Sequence, residues 1–352
     1  LISGDAIAQS AGTIDAATLL VDSAGDAVLD QLNSIGTGLP AGVIAGVSVG
    51  DFVVTNTLDT LVGTVTINRK DGTPVSLTGI DALNVKLTAI NLLVNAATTA
   101  TENIVLDSDN GVTQNADGIL KAAGLVLAGE GDFDLTQDNE IGTLVDPGKF
   151  AATVLGSINL TNLYGLMVAK ISSGAIVYTG INLGPGAGTG DLVINTSANN
   201  GDIDQEVDAP IMVAGTTRLN VGTGTICLTK GDSDSDTETN NDFSALFIDA
   251  GTIAEIADAN GLVTEDIVAL EKISLDAAGA IHLNSSLEAG SVRLKAGDGV
   301  TQTASTFVVA LELLLQGEGD FTLTESNRIG GTFTEGRIAA DISGSLNIVN
   351  DF

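Results

Sequence analysis

Tryptophan is absent from this 352-residue chain, and Tyr (2), Met (2), Cys (1) and His (1) are scarce. A lone cysteine rules out an internal disulfide, and one Cys with one His cannot build a structural zinc cluster. Any nucleophilic or imidazole chemistry would rest on Cys227 or His282 alone. Basic residues are sparse too: 13 Lys+Arg face 45 Asp+Glu, a formal charge of −32, and none precedes Arg69. Phosphate backbones are bound by cationic side chains that displace counterions, so nucleic acid is excluded as a partner. An anionic membrane surface is disfavoured for the same reason. No apolar run approaches the ~18 residues of a membrane-spanning helix. The chain opens at Leu1 with Asp5, Asp15 and Asp22 and no basic stretch. That opening is unlike a signal peptide and reads as a piece excised from something longer.

What is abundant is aliphatic surface and glycine, with 44% hydrophobic residues and 43 Gly. Such a composition buries too much to stay disordered. Internal repetition is the strongest signal. Residues 109–162 and 297–350 align without a gap, with about 25 of 54 positions identical. They share Gly111–Gln114 with Gly299–Gln302, Gly129–Thr136 with Gly317–Thr324, Asn139–Gly142 with Asn327–Gly330, and Gly156–Asn162 with Gly344–Asn350. A further copy occupies 4–56, carried by Gln9, Asn33–Gly36 and Gly50–Phe52. A degraded copy, 201–250, starts at Gly201–Gln205 and is broken by an acidic insertion, 230–243.

Within each copy the apolar period is two, as in Asp132–Thr136, Gly156–Leu160, Asp191–Ile194 and Ala280–Leu283, which predicts short strands with one buried face. Residues 79–94 and 116–128 have some helical spacing, but β-branched content and flanking glycines favour strand there too. Two all-β architectures fit. Tandem immunoglobulin-like sandwiches match the spacing between copies. A parallel β-helix (β-solenoid) matches the short strands with Gly/Asn/Asp corners and needs no core tryptophan or tyrosine corner. Asn33, Asn139 and Asn327 recur at one corner, which predicts left-handed backbone and asparagine ladders between coils there. At about 22 residues per coil the chain makes roughly 16 coils as a single continuous solenoid over 1–352, a rod on the order of 75 Å at about 4.8 Å per coil.

These landmarks, GVTQxA, GEGDFxLTxxNxIG and GSxNxxN, resemble the β-helical stalks of filamentous-haemagglutinin-like bacterial surface proteins. The resemblance covers almost all of the chain and is weakest over 57–108 and 229–296. It implies a right-handed parallel β-helix, export from a Gram-negative cell, and adhesion or matrix building. The expected role is therefore an extracellular structural or adhesive segment at the bacterial cell surface, a stalk or filament-forming subunit with no catalysis of its own. Expected partners are further repeats or copies joined end to end, and a surface glycan or receptor.

The sharpest local feature is the acidic run Gly231–Phe243. Asp232, Asp234, Asp236, Glu238 and Asp242 place carboxylates at alternating positions that can converge on a hard cation, so weak calcium binding is one reading. Thr237 stands where a calcium loop needs glycine, and Phe243 where a bidentate Glu would close the shell, so a solvated acidic loop is the other. No cofactor is required. Cys227 aligns with Asp134 and Thr322 and is expected to face outward. His282, between inward Ile281 and Leu283, is expected in solvent without a partner. The rival function is a polysaccharide lyase or hydrolase, which would need clustered carboxylates such as Asp202/Asp204 or Asp107/Asp109. The run Gly184–Gly190 lacks the Lys and following helix of a phosphate cradle and reads as a corner.

Overall fold

The computed structural model describes residues 1–36, 41–184, 189–230, 241–249, 251–331 and 334–351. It is all-β, 65% strand, with parallel strands stacked into a β-solenoid of about 15 turns. The sandwich alternative is thereby excluded, because its strands would pair antiparallel. Residues 79–94 and 116–128 are strands, as the flanking glycines indicated. The single helical turn among the described residues is Ser197–Asn199.

Two compact units are present, one formed by Leu1–Leu163 with Ile171–Tyr178, the other by Tyr164–Lys170 with Thr179–Phe352. In the first, in-register rows run up the stack, as in Ala27, Phe52, Val85, Ile104, Leu125 and Phe150. In the second, Leu262, Ile281, Val300, Phe321 and Leu346 form an equivalent row. Period-two strands turn such residues inward, and five phenylalanines, Phe52, Phe133, Phe150, Phe243 and Phe321, are fully buried. Inward side chains of one coil also meet across its corner. Gly46 faces the Phe52 ring, where a Cβ would strike the ring carbons. The corresponding positions of the next copy carry Ala152 and Ile158, so a smaller side chain at the second position admits a larger one at the first.

Two antiparallel hairpins lie on the outside of the first unit. Thr64–Asn68 with Pro74–Thr78 covers the outward Leu20 and Ala45, giving a buried cluster with Val65. The segment Ile171–Tyr178 covers Val105, Val126 and Ala151 in the same way. These covers explain why those outward positions are apolar, and the first, inserted at 64–78, interrupts the repeat pattern within 57–108.

Candidate functional site

The most repeated polar chemistry lies inside the coils. Gln114 Nε2 donates to Asn139 Oδ1 at 2.6 Å, and that oxygen also accepts the Leu120 N–H at 2.9 Å. Asn139 Nδ2 in turn donates to the Leu135 and Thr161 carbonyls, one in its own strand and one in the next coil. Gln9–Asn33 and Gln302–Asn327 repeat the pair at 2.8 Å each. All three asparagines are fully buried and sit at a β-bulge where the strand bends around the corner. The expected left-handed backbone is therefore wrong: positive φ outside glycine occurs only at Asn200, Asp208 and Ser305 among the described residues. A bulge turns the corner instead, and the side chain satisfies the backbone groups that the bulge leaves unpaired. The expected ladder is present, since Asn33 is in register with Asn56, Asn139 with Asn162 and Asn327 with Asn350.

The second asparagine of each ladder bridges one residue of the coil below. Asn56 accepts the Ile35 N–H and donates to the Ile35 carbonyl, Asn162 does so at Ile141, and Asn350 at Ile329. The degraded copy keeps the first lock and alters the second. Gln205 Nε2 reaches Asn241 Oδ1 at 2.6 Å, although the acidic insertion separates them. Asp258 then stands in the place of Asn56: its Oδ2 accepts the Phe243 N–H at 2.8 Å and its Oδ1 the Asn260 N–H at 2.9 Å. Burial pushes this carboxyl up to about 6, with the Asp242 charge adding and the two N–H bonds opposing.

A second device sits at the coil corners, where Gly-Asp-apolar recurs. Asp26, Asp132, Asp191, Asp202 and Asp320 each accept, through Oδ1, a backbone N–H of the next coil, from Asp51, Ser157, Thr216, Thr225 and Ser345. Much of the acidity at the corners is therefore engaged in stapling coil to coil. The Ser345 bonds hold the Asp320 carboxyl below its usual range.

Of the calcium candidates, Asp232, Asp234, Asp236 and Glu238 lie outside the described residues. Asp242 opens the strand Asp242–Asp249, exposed, and accepts Asn260 Nδ2 at 3.1 Å. No group of three or more His, Cys, Asp or Glu placed to hold a metal occurs among the described residues. Cys227 is outward and half-buried, as the alignment indicated, beside Thr229 and Glu255. Burial pushes its thiol up. His282 is exposed but does have a partner, the Thr301 hydroxyl one coil on, at 2.7 Å from Nδ1. Asp202 is a corner staple and Asp204 pairs with Lys230 at 3.1 Å. Asp107 is pushed up by burial and by Asp109, against Lys86, while Tyr178 is raised by its own burial and by Asp107.

Among the surface grooves is one of about 430 Å³ that joins an aromatic ring, an arginine, amides and carboxylates. Its floor is the cross-strand row Val193, Arg218, Phe247, Asp266. The Arg218 guanidinium lies 3.6 Å above the centre of the Phe247 ring. One irregularity between Val213 and Thr216 and another between Thr264 and Asp266 set this row, the second placing Asp266 rather than Glu265 opposite Phe247. The parallel row Asn195, Asn220, Asp249 forms the rim. Asn195 and Asn220 use their carbonyl oxygens on the turns that follow them, at Ser197 and Gly222. Both amide NH₂ groups are left without a partner among the described residues. Sequence periodicity could not find this groove, because the two irregularities break the two-residue register there.

Residues 172–247 and 271–334 match the model of a family described as repeats of unknown function (DUF5649). No curated protein and no solved structure matches the chain.

Proposed function

We propose that this chain is a structural and adhesive β-solenoid segment, exposed at a cell surface as a stiff stalk or as a filament subunit, with no catalysis of its own. One observation carries the reading. What repeats between copies is chiefly what fastens one coil to the next: the Gln–Asn locks and asparagine bridges inside the stack, and the exposed corner aspartates that accept a backbone N–H of the following coil. Other outward positions vary, as where Asp134 and Glu140 of one copy are replaced by Thr322 and Arg328 of another. A sequence arranged this way preserves stacking and lets the surface change, which suits a scaffold better than an active site.

One further feature bears on assembly. The −32 charge holds such rods apart at low salt, and calcium would bridge them.

Electron microscopy of the purified protein with calcium and with chelator tests this. Rods, or filaments with an axial repeat of one rod, are expected, with filaments favoured by calcium. Release of reducing ends or unsaturated products from a polysaccharide panel would overturn the scaffold reading in favour of a polysaccharide-active enzyme.

A further inference from the structure

The groove above Phe247 carries chemistry that stacking does not use. Of the seven described phenylalanines, five are in the core, and Phe247 and Phe307 face outward, each beneath an arginine. Arg218 has no ion pair among the described residues, whereas Lys121, Lys170, Lys230, Lys272, Arg293, Lys295 and Arg337 do. Stacking on the ring holds the guanidinium flat and leaves its N–H edge available. The groove thus offers a flat platform, unused donors on Arg218, Asn195 and Asn220, and acceptors on Asp249 and Asp266. A hydroxyl is both donor and acceptor, so a ligand of vicinal hydroxyls on a compact ring satisfies both sets at once. A polyanion does not, facing two carboxylates in the groove and the charge of the whole chain. The volume is within the range of small-ligand sites.

We propose that this groove binds a neutral saccharide, its ring against Arg218 and Phe247 and its hydroxyls between Asn220 and Asp249. The proposal rests on the adhesive reading above and names the ligand class for it. The test is titration of the full chain with neutral oligosaccharides and with oligogalacturonate, by saturation-transfer NMR, for the parent, Arg218→Ala and Asp249→Asn. Asp249→Asn should leave melting unchanged, and Arg218→Ala should lower it only by the loss of its stacking on Phe247. A neutral fragment should bind the parent and lose about tenfold or more in each variant, roughly 1.4 kcal/mol. Preference for the uronate, binding unmoved in both variants, or no neutral fragment bound would overturn it. A glycan that binds parent and variants alike would remove the groove and leave adhesion standing.

Discussion

Gln114 and Asn139, 25 positions apart in the chain, meet inside the stack with the glutamine amide 2.6 Å from the asparagine oxygen. Their contact closes a bulged corner whose backbone groups have no strand partner. The same pair recurs as Gln9–Asn33, Gln205–Asn241 and Gln302–Asn327, so one amide–amide contact per copy is a fixed element of the interior.

Asn139→Ala would strand the Leu120 N–H and the Leu135 and Thr161 carbonyls in a dry interior. At about 1–3 kcal/mol for each buried unpaired group, the expected loss is on the order of 3 kcal/mol or more. Chemical denaturation checks it. Gln114 keeps its bonds to the Gly118 carbonyl and the Gln137 N–H, so adding Gln114→Leu to Asn139→Ala should deepen the loss.

Gly46 and Phe52 are expected to be coupled. Gly46→Ala alone should destabilise, because the new methyl meets the Phe52 ring. Gly46→Ala with Phe52→Ile recreates the Ala152/Ile158 combination of the next copy and should recover much of the loss. A double-mutant cycle on melting temperature would show the coupling, and additive effects would count against it.

Asp320 should respond to acid in the sense opposite to Asp258. Hydrogen bonds from Ser345 hold its carboxyl below the ordinary value, so the folded state favours the charged form. That contribution is present above the ordinary carboxylate range and disappears as pH falls through the lowered one. Ser345→Ala removes the hydroxyl donor at 2.7 Å and should move the Asp320 NMR titration upward towards other exposed aspartates.

Cys227 is expected to be a slow thiol. Burial, together with Asp204 and Glu255, disfavours the thiolate, while Thr229 and Lys230 oppose this. Alkylation at pH 7.5 should be slower in the folded protein than in urea, with the difference narrowing as pH rises past the ordinary thiol range. Equal rates in both would show an unperturbed thiol.

The sequence by itself determined the strands and their stacking. Period-two apolar runs with glycine corners leave parallel coils as the simplest way to bury one face of so many short strands, and the gapless offset between 109–162 and 297–350 shows that one coil geometry is reused. Gln9, Gln114, Gln205 and Gln302 and three of their partner asparagines were visible as landmarks, but their inward orientation was not. A corner asparagine in left-handed backbone and one in a bulge have the same sequence pattern, and only the neighbouring coil decides which backbone groups need a partner. The same holds for Asn241, hidden behind the acidic insertion, and for Asp258, which becomes distinctive only when register aligns it with Asn56. The Arg218–Phe247 groove is furthest from the sequence, since local irregularities set its rows and its residues come from four strands. Local pattern specifies which face of a strand is buried. Which side chains then meet is decided by register between coils, and register is a property of the stack.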